Sequence, residues 1–263
     1  MILLIRKFIK DEMPVFAASA AFWMAISVVP FLMVIITAVQ LVPGLDKRSV
    51  ESLLLTAAPS IPQIEALIHS VMDNLYIAAP GALISITAVM ALWSASTGVY
   101  AIERGIMRIY RTAEDTSYLL KRTRALLFTF LFLLLIVLTL VLLVFGRLIQ
   151  SLLEQYLPLI AAVTAYIMSF RAPLVLVVLF FSFLLLYTVM PGTSRGIRSH
   201  WPGALFSTAG WVISSGLFSI YFTYFRNISY MYGSLGAIVL LLFWLYMIIC
   251  LLFFGAELND YLA

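Results

Sequence analysis

The stretch Thr87–Arg111, TAVMALWSASTGVYAIERGIMRIYR, decides the fold. It opens as an apolar helix and closes as a basic segment, so one run gives both a membrane crossing and its direction. Small residues stand at Thr87, Ala91, Ser94, Gly98, Ala101 and Gly105, spaced four, three, four, three and four. At about 3.6 residues per turn these positions form one narrow stripe. Such a stripe lets a second backbone come close, which is how helices bind each other in lipid. The bland alternative is that Ala and Gly are merely common in membrane helices. We read the stripe as a buried packing face.

Composition points the same way. Apolar residues make up 64% of the 263-residue chain and charged residues 11%, with a mean hydropathy of +1.10. Soluble domains hold about 45–50% apolar and about 25% charged residues. The expectation is an all-α, polytopic membrane protein forming a single integral domain over residues 1–263. A net charge of +4 invites a nucleic-acid reading. However, the basic residues sort by membrane side, and Tyr110 and Tyr118 are too few for a base-stacking platform. Cys250, the single cysteine, lies in an apolar run and reads as core filler.

Six transmembrane helices are expected, at about 17–42, 81–102, 126–146, 173–190, 203–225 and 237–256, each close to or above the roughly 20 residues a bilayer requires. Amphipathic interfacial helices accompany them. Met1–Glu12 mixes Ile and Leu with Arg6, Lys7 and Lys10, which suits a short helix lying among head groups, and Pro14 is expected to separate it from the first span. Ser27 and Pro30 interrupt that span and predict a kink. Residues 45–79 carry Ile64, Leu67, Ile68, Val71, Met72 and Leu75 opposite Glu65, His69, Asp73 and Asn74. One or two helices covering an end of the bundle would result, with a capping box at Ser60 and Gln63 and a solvated His69. Span three has no Gly, Ala or Ser from Leu126 to Phe145 and is placed at the periphery. Leu157–Met168, a dozen residues, is too short to cross and is expected to be interfacial or re-entrant.

Span five repeats the stripe, with Gly203, Ser207, Gly210 and Ser214 spaced four, three and four. Spans two and five are therefore expected to pack backbone to backbone as a central pair. Topology follows from Lys and Arg. With a cytoplasmic amino terminus, eleven fall on the inner side and five on the outer. Both termini are then cytoplasmic.

Four segments in order along the chain carry a resemblance: AASAAFWMAISVVPFLMVI from Ala17, ALWSASTGVYAIERGIMRIY from Ala91, HWPGALFSTAGWVISSGLFSIYFTYF from His200, and YGSLGAIVLLLFWLYMIICLLFFGAEL from Tyr232. Each is a loose hydrophobic signature; the combination resembles the YihY/BrkB family of bacterial inner-membrane proteins, once labelled ribonuclease BN. The resemblance implies six helices in the bacterial cytoplasmic (inner) membrane. It supplies no catalytic residues. Transport is the usual suggestion for that largely uncharacterised family, with serum resistance attached to BrkB-type members.

The residues themselves argue against an enzyme. Phosphodiester cleavage by metal ions wants clustered carboxylates or histidines, and here they are scattered; no GxSxG, HExxH or P-loop occurs. No catalytic residue, metal or cofactor is expected. Charges nearest the spans, Glu103, Arg104 and Glu257, are inner-end charges, and the spans carry none in their middle. That disfavours ion coupling through a mid-membrane carboxylate. Glu257 with Asn259 is expected to fix the end of span six against a basic residue from the span-two exit. Ser94, Ser96, Thr97, Thr208, Ser214, Ser215 and Tyr232 are candidates for a polar pathway, weighed against simple back-bonding to helix carbonyls. Ala91, Gly98, Ala101, Gly105, Gly203, Ser207 and Gly210 are candidates for helix packing. The reading is a transporter or permease of a small neutral or amphipathic, lipid-like substrate. Its alternative is a non-transporting scaffold or assembly factor linked to envelope integrity, with a ribonuclease last. Expected partners are the lipid bilayer, a lipid or small-molecule substrate and a second copy of the chain as homo-oligomer, without nucleic acid.

Overall fold

The computed structural model describes residues 2–40, 80–112, 119–134, 171–193, 195–224 and 229–263, with isolated helical positions at 51, 55, 69 and 73. Regular structure among them is entirely helical: α1 (Ile2–Lys10), α2 (Met13–Gln40), α3 (Pro80–Tyr110), α4 (119–134), α5 (Arg171–Val189), α6 (Trp201–Tyr224) and α7 (Ser229–Leu262). A 3-10 turn, Ile197–His200, leads directly into α6. Ser60, Gln63, the 64–68 and 70–72 positions and Leu157–Met168 lie outside the described residues, as does span three beyond residue 134. His69 is exposed and its Nδ1 stands 2.5 Å from Glu51 Oε1.

By length and composition, Met13–Phe31, Ile197–Tyr221 and Ile238–Leu262 can each cross a membrane, with Val175–Val189 a shorter apolar helix. The break between α1 and α2 is not at Pro14. It falls at Glu12, whose φ of 60° breaks the helix. Pro14 occupies the first turn of α2, where a missing N–H costs no hydrogen bond. α3 ends in the same way. Arg111, at φ 52°, lets the Thr112 N–H reach back to the Met107 carbonyl at 3.1 Å, a Schellman-type close usually given to glycine.

The expected central pair is replaced by a different arrangement. α3 packs most extensively on α2, and α6 on α7, while α7 also contacts α1, α2 and α3. A Cβ on Gly98 would meet Met24 Cγ at 2.8 Å and the Ala20 carbonyl at 3.2 Å, both of α2. One on Gly210 would meet Leu251 of α7, and one on Gly203 the Gly255 carbonyl of α7. Gly98 thus admits the backbone of α2 and Gly203 that of α7, while Gly105 faces the Phe253 ring of α7. α7 is the hub, because Gly255 and Ala256 make its carboxyl-terminal half as narrow as the stripes. α4 turns Ala125, Phe128 and Thr129 inward and leaves Leu127, Phe130, Leu131 and Leu134 exposed.

Candidate functional site

The buried polar groups gather where α1, the end of α3, the start of α4, the 191–200 turn and the end of α7 converge. Glu257 is fully buried, with Lys7 Nζ 2.6 Å from its Oε2. The same ammonium donates to Asp260 Oδ2 at 2.7 Å, and Arg195 reaches Asp260 Oδ1 at 3.0 Å. Phe8 stacks on Phe254, with ring centroids 4.1 Å apart, so α1 is held to α7 by both charge and ring packing. The partner of Glu257 is therefore Lys7 of α1, not a residue from the span-two exit. Burial alone would lower the Lys7 pKa; hydrogen bonds to Asp260 and Glu257 outweigh it and raise the ammonium above its ordinary value.

Beside this cluster, Tyr110 Oη lies 3.2 Å from His200 Nδ1, which joins α3 to the start of α6. The Gly203 N–H donates to Asn259 Oδ1 at 2.6 Å, filling one of the donors that a helix start leaves open. Glu103, which the sequence places one residue past the expected 81–102 span, is fully buried and receives Arg124 at 3.2 Å on Oε1. Arg124 also donates to the Met190 carbonyl at 3.2 Å, so one guanidinium ties α3, α4 and the end of α5. Burial pushes the Glu103 carboxyl up to about 7 against the pull of Arg124 and Lys121. Arg104, the third charge expected at an inner end, is exposed, its guanidinium 5.7 Å from the Phe16 ring centroid. Arg122 covers the Trp93 ring at 4.3 Å and donates to Thr97 Oγ1 at 3.2 Å.

The candidate polar pathway does not assemble. Ser94 donates to the Met90 carbonyl at 2.7 Å, Ser96 and Thr97 to the Trp93 carbonyl at 2.9 and 2.8 Å, and Thr208 to Ala204 at 2.8 Å. These hydroxyls are satisfied by their own helices, as Ser and Thr often are. Ser214 is buried, and Ser215 Oγ is buried without a partner among the described residues. The Tyr232 side chain lies outside the described atoms. α3 and α6, which were to frame the pathway, make no extensive contact among the described residues; Tyr110 of α3 reaches His200 in the 3-10 turn ahead of α6. Of the packing candidates, Ala91, Gly98, Ala101, Gly105, Gly203 and Ser207 are buried and Gly210 is half-buried.

Cavities occur elsewhere. A groove of about 500 Å³ runs between α5 and α6, lined by Leu176, Phe180 and Phe181 on one wall and Leu205, Thr208 and Ile213 on the other. Its one hydroxyl, Thr208, is the back-bonded one. The wall is therefore without a free hydrogen-bonding side chain, and the outward side chains Phe181, Leu205 and Ile213 open it to the surroundings. A second cavity of about 330 Å³ lies among Phe31, Ala88, Ala91, Leu92, Phe130 and Leu134 of α2, α3 and α4.

Sequence reasoning passed over Lys7, Asp260, Arg195, Tyr187, Gly255 and the groove. Tyr187 was the most visible of these: a lone phenol in an apolar span must find a partner. It finds two, Ser207 Oγ and the Leu252 carbonyl, both at 2.6 Å.

Comparison with known proteins gives a consistent likeness. The model of a family described as Virulence factor BrkB matches residues 4–263. The ribonuclease-like protein YfkH of Bacillus subtilis (strain 168) is 34% identical over 251 residues, covering 94% of this chain and 88% of that protein. UPF0761 membrane proteins of Alteromonas mediterranea and Cronobacter sakazakii are each 24% identical, over 96% of this chain and 84% and 86% of theirs. No solved structure matches.

Proposed function

The chain belongs to the virulence factor BrkB family of membrane proteins, and from that footing we propose that it is a permease moving a lipid-like, amphipathic substrate. The observation that carries this is the α5–α6 groove, which is apolar along its length and opens sideways. A hydrated solute would lose its hydrogen bonds there at a cost of several kcal/mol; hydrocarbon would lose nothing. Charged groups are instead collected at one end, which suits handing a polar head group along a rim while its chains stay in an apolar slot.

The finer topology belongs to the same reading: six spans in the bacterial inner membrane, with both termini cytoplasmic. It is supported by the eleven-to-five partition of Lys and Arg and by ion pairs that bring residues 7, 103, 124, 195, 257 and 260 to one end of the bundle. A ribonuclease-like name attaches to the Bacillus relative; among the described residues no three His, Cys, Asp or Glu side chains gather as a metal site. The rival reading, a scaffold for envelope assembly, draws on the tightly paired inner end.

A lipid-translocation assay separates the two. Vesicles holding the purified full chain and a fluorescent phospholipid should expose inner-leaflet label to a membrane-impermeant quencher faster than empty vesicles, and Ile213→Trp should slow this. Equal rates with and without protein would leave the scaffold.

A further inference from the structure

The chemical class of the lipid can be read from what stands at the end of the groove. This inference rests on the permease reading for its substrate but concerns binding alone. Along α6, Leu205, Thr208 and Val212 share one face, and Trp201 lies one turn before Leu205 on that same face. Trp201 packs edge-on against Phe180 of the groove wall, ring centroids 5.8 Å apart, so the indole stands beside the groove at this end. The residues ahead of it form the 3-10 turn Ile197–His200, in which positions three apart eclipse each other. The Trp201 N–H bonds back to the Arg198 carbonyl, so Arg198 falls one 3-10 turn ahead of Trp201 on the same side of the chain. It is exposed and makes no ion pair among the described residues. Its neighbour Arg195 is already engaged with Asp260 at 3.0 Å, so Arg198 is the cation left for a ligand.

An apolar slot, then an amphipathic indole, then an unpaired guanidinium is the order of an acyl chain, a glycerol level and a phosphate. From Leu205 to Ile213 the α6 wall extends roughly 12 Å, at about 1.5 Å per residue, room for most of one acyl chain. Arginine fits a phosphate through paired N–H donors, better than a lysine would. The geometry points to an anionic phospholipid held with one chain between α5 and α6 and its phosphate on Arg198.

The test uses the full chain in nanodiscs of mixed phosphatidylglycerol and phosphatidylcholine, followed by mild detergent transfer and mass spectrometry of the lipids retained. Wild type should hold phosphatidylglycerol about fivefold over its share, the ratio that about 1 kcal/mol per arginine at an anionic surface implies. Arg198→Gln should erase that preference while phosphatidylcholine retention stays level. Arg111→Gln, an exposed arginine at the end of α3, should keep it. Ala209→Trp, which fills the groove, should lower retention of both lipids. The proposal is overturned if Arg198→Gln keeps the preference or Arg111→Gln loses it equally. It is also overturned if Ala209→Trp breaks a dimer and lipid retention does not change, since the groove then holds a second copy. Retention as expected with no lipid movement in vesicles would defeat the permease reading and leave this site intact.

Discussion

Lys7 Nζ lies 2.6 Å from Glu257 Oε2, joining the first helix to the last across 250 residues of sequence. Glu257 is wholly buried while Lys7 keeps 23% of its side-chain surface. Removing the ammonium would strand a carboxylate in a site that cannot hydrate it. Lys7→Met should therefore cost about 2–3 kcal/mol, below the roughly 3–5 kcal/mol of a fully buried pair. Melting in detergent, followed by tryptophan fluorescence, measures it. Lys7→Met with Glu257→Gln should recover part of the loss; a double variant as weak as the sum of the singles would mean the two groups are not coupled.

The glycines of α6 are not equivalent. A Cβ on Gly203 would run into the Gly255 carbonyl and Asn259, whose Cγ lies 2.6 Å away. Neither the backbone nor the bonded amide can yield. Gly203→Ala should destabilise by about 3 kcal/mol or more, and Gly255→Ala, facing Tyr187 Oη at 2.6 Å and the Gly203 carbonyl at 2.7 Å, comparably. Gly210→Ala meets side-chain atoms of Leu251 at 3.2 and 3.3 Å. These can rotate, and alanine gains about 1 kcal/mol of helix propensity, so its melting should stay near wild type. Three equal shifts would contradict the packing described.

These contrasts also mark what the sequence could express. A spacing of three and four shows which side chains share a face, because helix geometry is local. It does not name the helix that comes to that face. Gly98 and Gly203 read alike, yet one receives Met24 and the other Gly255. Gly255 has Leu251, Leu252, Leu258 and Asn259 three and four positions away, so no periodic run of small residues sets it apart. That Glu103 and Glu257 stand toward the ends of apolar runs follows from hydropathy, but Arg124 and Lys7 are brought to them by tertiary packing. Ser94, Thr97 and Thr208 have the same composition whether they line a channel or bond to the preceding turn. Only the carbonyl distances decide, and they favour the preceding turn.

Tyr187 joins three helices through one oxygen. It can donate to the Leu252 carbonyl while accepting from Ser207, both at 2.6 Å. Tyr187→Phe keeps the ring and deletes both bonds. The Leu252 carbonyl retains its helical partner, so the loss should be about 1–2 kcal/mol. Ser207→Ala added to it should cost little more, since the shared bond is already gone and only the longer bond to the Leu251 carbonyl, at 3.3 Å, is left to lose. Additive losses in detergent melts would show that the hydroxyls act separately.

Glu103 supplies the pH dependence. Its carboxyl is raised from an ordinary 4.5 to about 7, first by burial, with Arg124 and Lys121 pulling the other way. Between those values the folded chain keeps a proton that the unfolded chain has released. Stability therefore falls as pH rises through that window and levels off above it, once both states are ionised. The shift bounds the fall at about 3 kcal/mol, at about 1.4 kcal/mol per unit. Glu103→Gln has no proton to lose at this position, so its melting temperature should fall less than that of wild type from pH 5 to 8. Arg124 would lose its ion pair in that variant but keep the Met190 carbonyl at 3.2 Å, so the helix junction should survive the substitution. Identical pH slopes for the two chains would place the titrating group somewhere other than Glu103.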